Sequence, residues 1–189
     1  TMRKQIKKIV ITGGPCAGKS TGLCYPEEKL QDFGHKVLMT PEAPTELMLA
    51  GIKPEKNGFS QRLFQEILFR RQLETEELFK YAAKKSRAKK IVLLYDRGLM
   101  DMRAYMEEAH FLNILRRHGF KDLADVRDGR YDAVFHLRSA ATGAEEFYTT
   151  ENNPVRLETL EEARDADRRT LNAWNGHPHL RVIDIQFPF

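Results

Sequence analysis

The sequence of 189 residues has no long apolar run, no secretory signal and only two cysteines. No stretch approaches the roughly 20 apolar residues that a membrane-spanning helix needs. The N-terminus lacks the charged-then-apolar pattern of a signal peptide. A disulfide between Cys16 and Cys24 would distort the glycine-rich turn that contains Cys16, so we expect both to be free thiols in a reducing compartment. These absences favour a cytoplasmic protein.

Internal repeats, low-complexity stretches and basic segments interleaved with aromatic residues are also absent. The last absence argues against a nucleic-acid partner, although the formal net charge is +4. Basic residues cluster at Arg3–Lys8, Lys84–Lys90 and Arg116–Arg117. Such clusters suit a phosphate-rich ligand or a peripheral contact with anionic membrane lipid. They are also typical of solvated helix faces and helix ends.

The segment GGPCAGKS fits the phosphate-binding loop pattern G-x-x-x-x-G-K-[ST]. Its glycines let the backbone curl so that successive N–H groups face an anionic phosphate chain. Lys19 reaches the β- and γ-phosphates, and the Ser20 hydroxyl is placed to hold Mg²⁺. We therefore expect Mg²⁺-dependent binding of ATP or GTP. The expected nucleotide contacts are Gly13, Gly14, Pro15, Cys16, Ala17, Gly18, Lys19, Ser20 and Thr21.

Short apolar runs that alternate with helix-length segments predict the fold class. They predict an α/β fold of right-handed βαβ units, a three-layer P-loop NTPase with a five-stranded parallel sheet flanked by helices. We treat residues 2–189 as one domain. The predicted strands are Ile6–Ile11, Lys36–Thr40, Ile91–Tyr95, Ala133–Leu137 and Leu180–Ile183.

Three helices and one long loop are predicted between these strands. The helices are Lys19–Phe33, Ser60–Arg87 and Glu158–Trp174, and a Leu78-containing apolar stripe of Ser60–Arg87 is expected to face the core. Arg138–Pro154 is long for a loop in a compact domain and is rich in Thr, Gly and Asn, which is typical of a lid over an active site. Arg156, at the junction of loop and helix, is the arginine expected to stabilise charge on a transferring phosphoryl group.

Ligands in doubly wound sheets bind beyond the carboxyl ends of the strands, where four charged residues lie. Glu42 follows the second strand and suits a base for an acceptor hydroxyl, a more distant Mg²⁺ partner or an acid at a helix N-terminus. Asp96 ends the third strand in the Walker B pattern and would hold Mg²⁺. Arg97 would bind a phosphate or an acceptor, with a surface ion pair as the alternative. Asp184 follows the fifth strand, near the expected position of the nucleotide base.

Several longer segments together resemble one family. They read ITGGPCAGKST, LLYDRGLMD, GAEEFYTTENNPVR and AWNGHPHLRVID, and they extend from about Lys8 to Asp184. They are similar to the NadR/TRPL-translocation-defect-like group of P-loop domains, catalogued among AAA-type ATPase domains. The resemblance implies a nucleoside- and nucleotide-kinase-like fold. It places nucleotide phosphates on Gly13–Thr21 and acid and arginine roles on Glu42, Asp96, Arg97 and Arg156. Eukaryotic relatives often carry a second, CYTH-like domain after this one, so we expect a C-terminal domain of this kind to be missing from residues 2–189.

Two functions stay open at this stage. NadR-type relatives phosphorylate nicotinamide riboside, which implies a kinase-like phosphotransferase or NTPase acting on an unknown small-molecule acceptor. The eukaryotic relatives imply a GTP-binding, phosphoinositide- and membrane-associated trafficking protein with little turnover. The absence of an N-K-x-D motif leaves ATP and GTP undistinguished. A mechanical AAA+ ATPase is disfavoured because the sequence shows no separate helical lid domain and no evident arginine finger between subunits.

Overall fold

The computed structural model describes residues 3–14, 28–138 and 159–184. In these ranges five parallel strands form one sheet in the order β2-β3-β1-β4-β5. This confirms the predicted α/β fold with a five-stranded parallel sheet flanked by helices. The strands are β1 (Gln5–Gly13), β2 (Lys36–Met39), β3 (Lys90–Asp96), β4 (Ala133–Leu137) and β5 (Leu180–Ile183).

The helices occupy the connections between the strands. They are α1 (Ala43–Leu49), α2 (Gln61–Lys85), α3 (Glu108–Arg117), α4 (Leu123–Arg127) and α5 (Leu160–Trp174), with a 3₁₀ segment at Leu99–Tyr105. Residues 28–32 are helical as well. Within the described ranges, no helix combines the length and the apolar character needed to cross a membrane.

Alternating residues of β3 face two different apolar clusters. Leu93 and Tyr95 belong to the main core, which also contains Phe69 from α2 and Trp174 from α5. Val92, Leu94 and Val37 form the smaller cluster on the other face, where Leu30 packs against them. Because both faces of β3 are covered, the residues between Lys90 and Asp96 are all apolar or aromatic, as in buried parallel strands.

The buried stripe of α2 differs from the predicted one at its C-terminal half. Ser60 caps the helix, since its hydroxyl accepts a hydrogen bond from the Leu63 N–H at 3.1 Å. Leu78 is 61% exposed, so its predicted core position is wrong. The stripe instead continues through polar residues that face the interior, because Gln72 and Glu76 are buried. Leu78 lies on the opposite side of the helix from Glu76, at two residues' separation.

Candidate functional site

Three neighbouring strands, β2, β3 and β1, end side by side. The Asp96 N–H donates to the Thr40 hydroxyl at 3.0 Å, which joins the ends of β3 and β2. The Arg97 N–H donates to the Ile11 carbonyl at 3.0 Å, which joins the ends of β3 and β1. Gly13, the last residue of β1, is the first residue of the phosphate-loop motif. The sheet therefore delivers Asp96 and Arg97 directly to the start of that loop.

Arg97 has an unusual backbone and a largely buried side chain. Its φ of 67° lies in the left-handed region, which is costly for a residue with a Cβ and persists only where the surroundings fix it. Its carbonyl accepts a hydrogen bond from Gln72 Nε2 at 3.0 Å. Its guanidinium Nη1 donates to the Gly13 carbonyl at 3.3 Å. The side chain is 14% exposed, so backbone and guanidinium are both held in place.

Electrostatics keep this guanidinium charged. Burial alone lowers the pKa of Arg97, because it disfavours the charged form. The neighbouring Tyr105, Asp101, Glu42 and Asp96 act in the opposite direction and leave the pKa of Arg97 above its ordinary value. A permanent cation thus lies beside the start of the phosphate loop, with three carboxylates in its surroundings.

The two carboxylates predicted to be functional lie on adjacent strand ends. Asp96 is the last residue of β3 and is 7% exposed. Glu42 precedes α1, and its Oε2 accepts a hydrogen bond from the Thr45 hydroxyl at 2.7 Å. Since β2 and β3 are parallel neighbours, Glu42 and Asp96 both lie at the carboxyl ends of the strands. One could receive a proton while the other holds a cation.

Close packing of helix α5 explains why two residues of the site are glycines. A Cβ on Gly14 would lie 2.7 Å from the Cβ of Asp167, and a Cβ on Gly98 would lie 2.8 Å from the Trp174 ring. Asp167 and Trp174 are about two turns apart on the same face of α5. One helix face therefore packs against both the start of the phosphate loop and the turn after β3.

Asp167 also links the phosphate loop to β4. It is 3% exposed, and its Oδ1 accepts a hydrogen bond from the Gly14 N–H at 3.0 Å. The same oxygen lies 3.1 Å from Nε2 of His136, a fully buried residue of β4. Asp167 thus fixes the backbone direction at the loop entrance from the side of α5.

Asp101 lies at the centre of the turn after β3. It is 2% exposed, and its Oδ1 accepts a hydrogen bond from the Thr12 hydroxyl. Its Oδ2 accepts from the Gly98 N–H at 2.8 Å and from Trp174 Nε1 at 3.3 Å. It also faces the Arg97 guanidinium, with 3.7 Å between Oδ1 and Nη1. One carboxylate therefore joins β1, the turn and α5.

A second buried network supports the turn from the side of α2. The Tyr131 hydroxyl donates to Glu76 Oε1 at 2.9 Å and accepts from the Leu99 N–H at 2.9 Å. Glu76 also accepts from Gln72 at 3.0 Å and from Arg130 at 2.5 Å. Burial raises the pKa of Glu76, while Arg130, Gln72 and Tyr131 act to lower it. Gln72 and Tyr131 connect this network to Arg97 and Leu99, so α2 and α5 support the same turn.

Asp184 occupies a different environment beyond β5. It is 77% exposed, and its Oδ1 lies 3.0 Å from Arg138 Nε at the end of β4. Nearby, a cavity of about 470 Å³ is lined by basic and acidic residues. They include Arg138, Arg164, Arg168, Glu161, Asp165 and Asp167. Because Asp167 bonds to Gly14, this arginine-rich cavity adjoins the start of the phosphate loop.

Part of the predicted site lies outside the described residues. Gly13, Gly14, Glu42, Asp96, Arg97 and Asp184 are described; Pro15, Cys16, Ala17, Gly18, Lys19, Ser20, Thr21, Arg156 and the predicted lid are not. In the described ranges no group of three His, Cys, Asp or Glu side chains could hold a metal ion. A site with few protein ligands nevertheless suits Mg²⁺, because this ion takes one or two protein oxygens and completes its shell with phosphates and water. Asp96 is such an oxygen donor.

The sequence-based assignment missed Asp101, Asp167 and the Gln72–Glu76 pair. Asp101 follows the Walker B aspartate by only a few residues, and the double glycine at Gly13–Gly14 signals close packing at the loop entrance. The polar positions of α2 interrupt an otherwise apolar stripe, which signals buried polar residues. What the sequence does not reveal is that α5 would bring Asp167 and Trp174 to this place.

Comparisons with known proteins are consistent with this geometry. The family model described as an AAA domain matches residues 8–187, nearly the whole chain. No curated protein matches the sequence significantly. The matched range includes the phosphate-loop motif, the three adjoining strand ends and α5. The chain belongs to this AAA domain family, and its activity class is nucleotide binding by a P-loop domain.

Proposed function

We propose that this protein is a Mg²⁺-dependent, kinase-like phosphotransferase that moves the γ-phosphoryl group of ATP or GTP to a small-molecule hydroxyl. The observation that carries the proposal is the meeting of Glu42, Asp96 and Arg97 beside Gly13, where β2, β3 and β1 end together. Phosphoryl transfer uses a base for the acceptor hydroxyl, an oxygen ligand for Mg²⁺ and a fixed cation. Glu42, Asp96 and Arg97 suit these three roles in that order.

The nucleotide side of the proposed site uses the phosphate loop. The Lys19 ammonium and backbone N–H groups within Gly13–Thr21 bind the phosphates, except at Pro15, which has no N–H, and at Gly14, whose N–H donates to Asp167. Ser20 and Asp96 would hold Mg²⁺, which when bound neutralises charge on the β- and γ-phosphates. Asp184 stays a proposed contact near the nucleotide base.

The acceptor side of the proposed site uses Glu42 and the arginines. The bond between the γ-phosphorus and its bridging oxygen breaks, and a new bond forms to the acceptor oxygen. The acceptor's hydroxyl proton passes to the Glu42 carboxylate, and the nucleoside diphosphate leaves with the bridging oxygen. Arg97 and Arg156 bind the transferring group, whose charge is spread over its outer oxygens.

Calorimetric titration with ATP and with GTP, each with Mg²⁺, tests the nucleotide part. Lys19→Ala is expected to abolish detectable binding while the circular dichroism spectrum and melting temperature stay unchanged, because its loss removes the cation that reaches the phosphates. Lys36→Ala is the matched control, since Lys36 is exposed at the amino end of β2, away from the strand ends that form the site. Unchanged affinity in Lys19→Ala would overturn the site assignment.

A panel of nucleoside-like and other hydroxyl acceptors tests the transfer part. Nucleotide consumption should rise only when an acceptor is present. Glu42→Gln should lower turnover by about 10² to 10⁴ and leave nucleotide affinity within twofold, because a general base acts in the transfer step. Turnover that is independent of every acceptor, or that survives Glu42→Gln, contradicts the assignment of Glu42 as the base.

A second candidate function rests on an exposed basic surface at the opposite end of the sheet. Lys84, Lys85, Arg87, Lys89 and Lys90 are exposed around the end of α2 and the start of β3. This surface and the resemblance to the NadR/TRPL-translocation-defect-like group favour a GTP-binding regulator associated with phosphoinositide membranes. Tight GTP binding without turnover, together with binding to phosphoinositide vesicles but not to neutral ones, would support this alternative over the kinase.

A further inference from the structure

We propose that Asp101 is a positioning residue that holds the Arg97 guanidinium at the start of the phosphate loop. The proposal rests on the proposed function, in which Arg97 binds the transferring phosphoryl group. Nothing in the phosphate-loop or Walker B patterns assigns a role to this position. The inference comes from the contacts of the buried carboxylate.

The carboxylate of Asp101 is itself fixed in place. Its carboxylate is an acceptor-only group, and the donors around it come from three separate elements. Thr12 of β1 donates to Oδ1, while the Gly98 N–H and Trp174 Nε1 donate to Oδ2 at 2.8 and 3.3 Å. With 2% of its surface exposed, Asp101 has no freedom to turn toward solvent.

The guanidinium of Arg97 lies between Asp101 and the start of the phosphate loop. Its Nη1 is 3.7 Å from Asp101 Oδ1 and donates to the Gly13 carbonyl at 3.3 Å. Thr12, which donates to the same Oδ1, immediately precedes Gly13. The carboxylate therefore sets the position of the guanidinium relative to the residue where the phosphate loop begins.

Two other carboxylates act on the charge of Arg97. Glu42 and Asp96 also favour its charged form, so either is an electrostatic alternative to Asp101 as a partner. In the proposed reaction one receives a proton and the other holds Mg²⁺. Because Asp101 holds the guanidinium beside Gly13, neither Glu42 nor Asp96 has to supply the contact that positions it.

A double-mutant cycle with Asp101→Asn and Arg97→Ala tests this coupling. It is measured on both the affinity for Mg²⁺-nucleotide and the turnover, with KM and kcat separated. Arg97→Ala should lower kcat by about 10² to 10³, as loss of one charge-stabilising group does. Asp101→Asn should lower kcat at least tenfold with little change in the acceptor KM. The double variant should be no slower than Arg97→Ala alone.

A purely structural role for Asp101 predicts a different result. The reductions of kcat in the two single variants would then multiply in the double variant. Such a result, or an unchanged kcat in Asp101→Asn, overturns the proposal. Asp132→Asn is the control: Asp132 Oδ2 accepts the Lys8 N–H at 2.8 Å, away from the strand ends, and its loss should leave kcat unchanged. If the wild-type protein shows no turnover with any acceptor, the proposed kinase function is wrong. The double-mutant cycle measured on nucleotide affinity then still tests the role of Asp101.

Trp174→Phe serves if Asp101→Asn does not fold. It removes one donor to Oδ2 but keeps the carboxylate and most of the aromatic packing. We expect kcat to fall two- to fivefold, and we expect no further fall when the substitution is made in Arg97→Ala. An equal fall in both backgrounds overturns the proposal.

Discussion

Two aspartates that follow strands of the same sheet differ in almost every physical respect. Asp101, in the turn after the interior strand β3, is 2% exposed and accepts hydrogen bonds from β1, the turn and α5. Asp184, after the edge strand β5, is 77% exposed and pairs with Arg138. The strand order explains this difference, because β3 is flanked by β2 and β1, whereas β5 lies at the sheet edge.

The energetic consequences of the two environments differ as well. An exposed ion pair gains little, since water and salt screen it and two side chains must be ordered. A buried polar network is stabilising only while every member keeps its partner, because an unpaired charge in the interior is costly. Substitutions after β3 should therefore have large effects, and substitutions after β5 should have small ones.

Glu76→Gln is expected to have the largest effect on stability. Glu76 is 1% exposed and bonds to Arg130, Gln72 and Tyr131, so the substitution leaves the Arg130 charge, whose side chain is only 14% exposed, without its main carboxylate partner. We expect a loss of about 3 to 5 kcal/mol in the free energy of unfolding, measured by urea denaturation. Glu77→Gln is the matched control. Glu77 bonds to the same arginine at 3.0 Å but is 48% exposed, so its loss should be below about 1 kcal/mol. Equal losses would contradict the distinction between buried and exposed pairs.

Gly98→Ala should have the next largest effect. The added Cβ would lie 2.8 Å from the Trp174 ring and 3.1 Å from Val10, and overpacking of this kind costs about 1 to 3 kcal/mol. Trp174→Phe removes the ring atoms that clash. The double variant should therefore lose less stability than the sum of the two single losses, measured by the same denaturation. Strict additivity would show that Trp174 is not the cause.

The sequence alone predicted the fold and the strand ends well. The five apolar runs became the five strands, because buried parallel strands are apolar throughout and their pattern is local. The turn after β3 was predictable as a place for Asp96 and Arg97 for the same reason. The prediction that Leu78 of α2 lies in the core is wrong, because Gln72 and Glu76 occupy the buried face of the helix. Hydrophobicity alone does not signal buried polar residues.

The contacts that organise the turn could not be predicted from the sequence. The donors to Asp101 are Thr12, Gly98 and Trp174, which lie far apart in the chain and meet only when α5 packs against the sheet ends. The close approach of Asp167 to Gly14 is likewise a tertiary effect. Motifs identify residues whose neighbours in sequence fix their role, whereas Asp101 and Asp167 acquire theirs from distant partners.

Asp184→Asn is expected to have the smallest effect on stability and separates the two interpretations of this residue. Because the pair with Arg138 is largely exposed, its loss should cost about 0.5 kcal/mol or less.

A contact between Asp184 and the nucleotide base would instead appear in calorimetry, as a change in the ratio of ATP to GTP affinity at an unchanged melting temperature. Arg138→Gln is the control, since it breaks the same pair and leaves the carboxylate. A changed ratio in Asp184→Asn but not in Arg138→Gln assigns the carboxylate to the base, and an unchanged ratio in both leaves Asp184 as an ion-pair partner alone. Either result sharpens the contrast with Asp101, because it shows whether a carboxylate after an edge strand needs burial to act on a ligand.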